Sequence, residues 1–179
     1  MTDQDWIALV MEAGAAAAAI AELRDFPFRV EFRAACEQNT CGSYNRNWMC
    51  PPRVGDIHTL ISRAKQFDRA VVYQTIGTLE DSYDYEGMVT AKEVHSGVSQ
   101  RIQQQLTGRD VLHLSAGGCK VCERCTALDE EPCRYPALAI PSLESYGTAV
   151  SELAAACGLK YINGTNTVTF FGAVLFRTV

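Results

Sequence analysis

Cysteine is the residue type in this chain whose spacing indicates chemistry most clearly. Seven of the eight cysteines in the 179-residue chain fall into two groups, and the second group reads Cys119-x2-Cys122-x2-Cys125-x7-Cys133. Three thiols in so short a segment can surround a compact cluster of several irons, so that each thiol binds a different iron. A single zinc ion more often takes two separated Cys-x2-Cys pairs. The spacing therefore favours an iron–sulfur cluster of the 4Fe-4S type.

The last gap of the second group departs from the pattern that the group otherwise matches. Bacterial ferredoxins bind their clusters through Cys-x2-Cys-x2-Cys-x3-Cys-Pro, whereas seven residues separate Cys125 from Cys133 here. Cys133 could complete one site with the three cysteines before it. It could also bind a second cluster, as the fourth cysteine of the run does in two-cluster ferredoxins.

The first group of cysteines has the spacing Cys36-x4-Cys41-x8-Cys50, and Pro51 and Pro52 follow it directly. This spacing matches none of the usual zinc patterns. A proline after a ligand cysteine removes a backbone donor and stiffens the chain, and many ferredoxin runs close on the same Cys-Pro pair. We predict that both groups bind metal. The alternative is that one group is structural or forms a redox pair.

Six short elements that include both cysteine groups occur in a characteristic order. They are Arg33-x2-Cys36-x4-Cys41, Tyr44, Trp48-x-Cys50-Pro51-Pro52, Gly117-Gly118-Cys119-x2-Cys122-x2-Cys125, Pro132-Cys133-x2-Pro136 and Pro141-Ser142-Leu143-Glu144. Over residues 28–176 the chain resembles an uncharacterised prokaryotic family of predicted metal-binding proteins. The resemblance implies a metal or cluster cofactor and leaves Cys157 outside the motif. The ligands that it implies are Cys36, Cys41, Cys50, Cys119, Cys122, Cys125 and Cys133.

Three functions are compatible with these residues. The seven thiolates are one fewer than the eight that two fully thiolate-ligated 4Fe-4S clusters would need. The main hypothesis is a cytoplasmic electron carrier, or an accessory protein of anaerobic redox metabolism, with one or two 4Fe-4S clusters and a redox protein as partner. The first alternative is an enzyme in which a three-cysteine cluster leaves one iron open for Lewis-acid or sulfur-transfer chemistry. The second alternative is a zinc-stabilised interaction module.

Composition and charge fit a single domain over residues 1–179. Apolar residues make up 47% and charged residues 21% of the chain, which is ordinary for a globular protein. The net charge of −5, with scattered Lys and Arg, argues against nucleic acid as the main partner. Asp3, Asp5 and Glu12 stand where a secretory signal would be basic, and the apolar run at 13–20 is too short to span a membrane. We therefore expect a cytoplasmic protein without disulfides, whose oligomeric state the sequence leaves open.

Helical and strand signals alternate along the chain, which predicts an α/β fold. The sheet should be mixed and mostly parallel, flanked by helices, with cysteine-rich metal-binding loops and a C-terminal antiparallel strand pair. The predicted helices are 4–23, a segment after Pro52, 86–107, and 142–157 with Ser142 as N-cap and Gly158 beyond its end. The predicted strands are 28–32, 71–76, 111–114, 160–162 and 168–176, the last two joined through Asn163-Gly164.

This arrangement predicts that the two cysteine groups meet in space. Each group follows a predicted strand and precedes a predicted helix, and such loops gather at the carboxyl edge of a parallel sheet. Cys157 falls on a buried helical stripe and should be a small core residue. His58 and His95 should lie on helix surfaces, whereas His113, six residues before Cys119, could approach the metal.

Overall fold

A sheet of four strands organises the chain, and the computed structural model describes residues 1–178. The strands are β1 Ala17–Glu22, β2 Arg69–Thr78, β3 Val111–Leu114 and β4 Thr167–Phe176, and they lie in the order β1-β2-β4-β3. The α-helices are α1 Asp3–Glu12, α2 Phe32–Glu37, α3 Ile57–Ala64, α4 Tyr85–Gln105 and α5 Val150–Ala156. Short 3-10 turns cover Leu23–Asp25, Thr126–Asp129 and Glu144–Tyr146.

The prediction of a mixed, mostly parallel sheet is wrong, because all neighbouring strands of this sheet run antiparallel. Nor does β4 form an edge. It lies between β2 and β3 and pairs with β2 from Thr167 opposite Thr78 to Phe176 opposite Arg69. All residues from Phe171 to Phe176 are buried. A strand that is buried on both faces carries a continuous apolar run, and such a run does not reveal the direction of its neighbours.

The predicted helix at 4–23 is in fact α1 followed by the edge strand β1. Gly14 has a φ of +107°, a conformation that glycine adopts readily, and it turns the chain away from α1. The Ala16 amide then donates to the carbonyl oxygen of Gln74 at 2.8 Å, and β1 pairs with β2. Alanine has the highest helix propensity of all residues, so pairing with the sheet overrides the local preference here.

Three further elements differ from their predictions. The predicted strand 28–32 is reduced to a bridge between Phe28 and Thr148. The predicted helix 142–157 keeps only α5, because Gly147 turns the chain at φ +71° and a Cβ at this position would lie 2.6 Å from a backbone oxygen. Residues 160–162 form no strand. In the middle of the chain α3, β2, α4 and β3 appear as predicted.

Helices cover both faces of the sheet. Side chains of β2 and β4 alternate between two apolar clusters, one shared with α3 and α5 and the other shared with α1 and α4. On the second face Trp6 stacks on Phe176, with ring centroids 4.5 Å apart. No helix within residues 1–178 combines the length and the apolar composition that crossing a bilayer requires.

A buried polar network crosses the face of the sheet that α4 covers. The hydroxyl of Tyr73 lies 2.8 Å from Ser99 Oγ and 2.8 Å from His113 Nε2. His113 Nδ1 lies 2.9 Å from Gln103 Oε1, so both ring nitrogens of His113 have partners inside the fold. This pattern fits a neutral imidazole that donates from Nδ1 and accepts at Nε2.

His95 belongs to the same network, and the prediction that it lies on a helix surface is wrong. Its side chain is fully buried. Its Nδ1 lies 2.9 Å from Thr75 Oγ1 and its Nε2 lies 3.2 Å from Ser115 Oγ. The residues next to His95 on α4 are mostly polar, so the sequence pattern did not indicate that His95 is buried.

We expect acid to destabilise the fold through His95 and His113. Burial lowers the pKa of His95 to about 4, and burial followed by the charge of His95 lowers the pKa of His113 to about 3. The same side chains in an unfolded chain titrate near pH ~6.5, so the unfolded state binds protons first as the pH falls. The free energy of unfolding is therefore highest above about pH 6.5. Below that pH, each histidine lowers the free energy of unfolding by up to about 1.4 kcal/mol per pH unit.

Urea unfolding at about pH 7.5 and about pH 5.5 measures this loss. His113→Gln, which cannot titrate, should lose less stability between the two conditions than the unmodified protein. His58 is exposed, so His58→Gln should show the unmodified loss. Equal unfolding free energies at the two pH values would contradict the assignment.

Candidate metal centre

The two cysteine groups lie on two long loops. The first group begins with Cys36 in α2 and continues through the loop that leads to α3, and the second occupies the loop after β3. Cys50 is buried, with 7% of its surface exposed, whereas Cys41 is exposed. All eight thiols are free. The half-buried thiols are Cys36, Cys119, Cys122, Cys125, Cys133 and Cys157.

The four cysteines of the second group surround one small cavity. Cys119, Cys122, Cys125 and Cys133 all line one narrow pocket with a cavity volume of about 20 Å³. The segment 47–49 of the first loop closes another side of this space. The geometry thus places Cys133 with the three cysteines before it, despite the longer gap in sequence.

Direct contacts bring the first loop against the second. The side-chain amide of Asn47 donates to the carbonyl oxygen of Cys119 at 3.0 Å, and its Oδ1 accepts from the Met49 amide at 2.8 Å. A Cβ on Gly118 would lie 3.4 Å from Cys50 Sγ, so the glycine leaves room for this thiol. The prediction that the two cysteine groups meet is confirmed, although the parallel-sheet edge from which it was argued does not exist.

Trp48 and Arg53 hold the acidic end of the second loop. The indole N–H of Trp48 donates to the carbonyl oxygen of Glu131 at 3.0 Å. The Arg53 guanidinium donates to both carboxylate oxygens of Glu130, at 3.0 and 2.5 Å, and lies 5.2 Å from the centre of the Trp48 ring. These contacts form a clasp between the two loops, and Trp48 serves it through a hydrogen bond as well as through packing.

Burial and mutual repulsion act together on the thiols. The pKa of Cys50 is raised to about 12, mainly by burial and then by the charges of Cys41, Cys36, Cys119 and Cys125. Because these neighbours come from both groups, Cys50 lies between the groups. Burial also raises the pKa values of Cys36 and Cys119. A bound cation would displace the protons and offset the repulsion between thiolates.

A positive side chain accompanies the first group. Burial raises the pKa of Cys36, and the charge of Arg33, three residues before it on α2, opposes this effect. The guanidinium of Arg33 donates to the carbonyl oxygen of Ser145 at 3.2 Å. Its Nε–H is buried and has no partner among residues 1–178. A buried donor without a partner indicates an acceptor that the protein alone does not supply.

The charge of a carboxylate, Glu144, also acts on Cys36, and an ammonium acts on that carboxylate. Packing against protein atoms raises the pKa of Glu144, while its own amide, the Ser142 hydroxyl, the Gly117 amide and the charge of Lys92 favour its ionised form. The end of the Lys92 side chain rests on Gly117, where a Cβ would lie 3.0 Å from Cε and 3.2 Å from Nζ. Lys92 gave no signal in the sequence, since it is one of many polar residues on α4, and Glu144 gave none beyond its place in the motif.

The donor set fits a cofactor that prefers sulfur. Thiolates are ligands of iron–sulfur clusters and of zinc, and the sulfides of a cluster accept hydrogen bonds such as the one that Arg33 Nε–H could donate.

Within the described part of the chain, residues 1–178, no three Cys, His, Asp or Glu side chains stand close enough to share one metal ion. The ring nitrogens of His113 bond to Tyr73 and Gln103, so nothing in the geometry supports its approach to the metal.

One family model matches most of the chain. Its description is "Predicted metal-binding protein (DUF2284)", and the match covers residues 19–176. This range contains both cysteine groups, Glu144 and nearly the whole sheet. No curated protein and no solved structure matches the chain.

We expect Asn47→Ala to loosen the contact between the loops. The change removes two hydrogen bonds of a side chain that is only 9% exposed, and it should lower the free energy of unfolding by about 1–3 kcal/mol. Asn163→Ala is the matched control, because this side chain also makes two hydrogen bonds but lies outside the cysteine loops.

Metal analysis of both variants separates a local effect from a general one. Asn47→Ala should lower the bound metal per chain, and Asn163→Ala should leave it unchanged. A loss of stability in Asn47→Ala with full metal content would show that the contact does not support the centre.

Proposed function

The chain belongs to the family of predicted metal-binding proteins whose model covers residues 19–176, and we propose that its metal is iron in one or two 4Fe-4S clusters. In this proposal the protein carries electrons, or serves as an accessory protein, in anaerobic redox metabolism. Its partner is a redox protein, and its place is the reducing cytoplasm.

The observation that carries the proposal is the shared cavity of the second group. Four cysteines with a ferredoxin-like spacing line one space, and three of them follow each other at intervals of three residues. Such a run suits a multi-iron cluster, in which each thiolate binds its own iron. A zinc site would instead gather two Cys-x2-Cys pairs around one ion, at a Zn–S distance of about 2.3 Å.

The residues around the clusters have definable roles in this proposal. A 4Fe-4S cluster supplies reversible electron transfer when it is bound, and charges and hydrogen bonds around it set the potential. Arg33 offsets thiolate charge beside Cys36. On the second loop, Glu130 pairs with Arg53 and Asp129 pairs with Arg124, so that cations offset much of the acidic segment. The exposure of Cys41 leaves the first group within reach of a partner.

An enzyme is the second candidate, and the composition of the first group favours it. This group has three cysteines, and one of them, Cys41, is exposed to solvent. An iron with fewer than four protein ligands can bind water or substrate and act as a Lewis acid. An electron paramagnetic resonance signal that shifts when small ligands are added distinguishes this candidate from a pure electron carrier.

We expect protein purified without oxygen to be brown and to contain iron and acid-labile sulfide in about equal amounts. The reason is the run from Cys119 to Cys125 and its shared cavity with Cys133. Iron, sulfide and zinc analysis of the same sample is the measurement. A colourless protein with stoichiometric zinc would overturn the proposal in favour of a zinc-stabilised module.

We also expect Cys50→Ser to disturb the site of the second group. Cys50 Sγ lies against Gly118, and its surroundings include Cys119 and Cys125, so its loss should alter that cluster's spectrum and potential. The control is Cys157→Ser. Cys157 Sγ donates to the Leu153 carbonyl at 3.1 Å, a bond that serine can keep, so metal content and spectrum should not change.

Two results would count against this expectation. One is a Cys50→Ser protein that loses iron while the remaining cluster keeps an unaltered spectrum and potential. The other is iron loss in Cys157→Ser, which would make Cys157 a ligand.

A further inference from the structure

A second cavity borders the second cysteine group. It has a volume of about 260 Å³ and lies between residues 96–100 of α4 and residues 115–120, which follow β3. Cys119 lines this cavity as well as the narrow pocket that the four cysteines of the second group share. A molecule in the cavity would therefore lie against a residue of the candidate metal centre.

The lining of this cavity is polar and carries a positive charge. Its polar side chains are Ser96, Ser99, Gln100, Ser115 and Lys120. Lys120 is exposed, and within residues 1–178 it belongs to no salt bridge. Among the same described residues, no Asp or Glu side chain lines the cavity. These groups suit a small anion better than a cation or an apolar molecule, because a few placed polar groups decide which ligand a pocket accepts.

A glycine turn forms one wall of the cavity and brings a second ammonium close to it. Gly117 lines the cavity with a φ of +71°, and a Cβ at this position would lie 3.2 Å from Lys92 Nζ. The charge of Lys92 also acts on the carboxylate of Glu144, so it is shared. Two lysines therefore lie near the cavity, and only Lys120 combines a place in its lining with the lack of a carboxylate partner.

A row of hydrogen bonds reaches the cavity from the core, and Gln103 sets its direction. The Gln103 side-chain amide donates to the Ala137 carbonyl at 2.8 Å, so Gln103 Oε1 accepts from His113 Nδ1 at 2.9 Å. A neutral imidazole that donates from Nδ1 accepts at Nε2. The Tyr73 hydroxyl, 2.8 Å from His113 Nε2, must therefore donate to it.

The same direction continues to Ser115 in the cavity wall. The Ser99 hydroxyl donates to the oxygen of Tyr73 at 2.8 Å or to the carbonyl of His95 at 3.0 Å. In both cases Ser99 Oγ accepts from the Ser115 hydroxyl at 2.7 Å. His95 Nε2, 3.2 Å from Ser115 Oγ, then donates to this oxygen. Ser115 Oγ thus has no hydrogen left for a ligand, but it keeps one lone pair that can accept a hydrogen bond.

From these groups we propose that the cavity binds a small 2-hydroxy carboxylate, whose carboxylate pairs with Lys120 and whose hydroxyl donates to Ser115 Oγ. An ammonium group in place of the hydroxyl would meet a positively charged lining. The cavity is smaller than the usual ligand pocket of about 300–1,000 Å³, which limits the molecule to a few heavy atoms. The site goes beyond the proposed function, because it requires neither iron nor a particular cluster.

The test measures the binding of glycolate and lactate by isothermal titration calorimetry, on protein purified without oxygen together with the metal that it contains. Acetate and propionate are the matched ligands, because each lacks only the hydroxyl group. The variants are Ser115→Ala, which removes the acceptor, and Lys120→Gln, which removes the charge. Ser151→Ala and Lys160→Gln are the controls, because both residues are exposed and lie outside the cavity lining.

In the expected result each hydroxy acid binds about 2- to 10-fold more tightly than its matched acid, which is the contribution of one hydrogen bond. Ser115→Ala removes this difference, because the hydroxyl of the ligand then lacks its acceptor. Lys120→Gln weakens the binding of both hydroxy acids, because their carboxylate loses its cation. Both control variants bind like the unmodified protein.

Several results would overturn the assignment. They are the absence of binding of both hydroxy acids, equal binding of each hydroxy acid and its matched acid, and unmodified binding by Lys120→Gln. Lys120 is exposed, so this variant decides the question even where Ser115→Ala does not fold. Iron, sulfide and zinc analysis of the same sample decides the cluster proposal separately, and a zinc protein that still prefers glycolate to acetate keeps the site.

Discussion

The insertion of β4 between β2 and β3 is the constraint on which the candidate metal centre depends. β3 has only four residues and pairs with β4 alone, from Val111 opposite Phe176 to Leu114 opposite Ala173. Its end sets the position at which the second cysteine loop leaves the sheet. Through Ser115 the same end holds the segment 141–143. β4 thus positions cysteines that precede it by many residues.

Beyond the sheet, few protein contacts hold the two loops together. The hydrogen bonds of Asn47 and Trp48 are worth about 1 kcal/mol each, and the Arg53–Glu130 pair adds little because the Glu130 side chain is 74% exposed. Structural metal sites contribute on the order of 10 kcal/mol. The clasp can therefore bring the cysteines together, but bound metal would supply most of the order in this region.

The sequence was informative where one signal dominated. The cysteine motif predicted the metal-binding family whose model matches the chain, and strong periodicity predicted β2, α4 and β3. Strand direction was not predictable, because the buried run of β4 fits a parallel or an antiparallel neighbour equally well. The predicted helix 4–23 was wrong over Ala17–Glu22, because β1 takes its conformation from pairing with β2. The meeting of the groups was predicted correctly from a wrong sheet, since any fold that brings both loops to one end of the sheet gives the same result.

Side chains that act through contacts across the fold left no signal in the sequence. Ser115 is an example, because its backbone and its hydroxyl contact two different parts of the fold. Its backbone fixes the segment that carries Glu144, and its hydroxyl lies 2.7 Å from Ser99 Oγ and 3.2 Å from His95 Nε2. The buried histidine network therefore supports the residue from which both the glycine turn and Glu144 are positioned. A polar network in the core thus contacts the residue that holds both segments, and this connection is visible only in the folded chain.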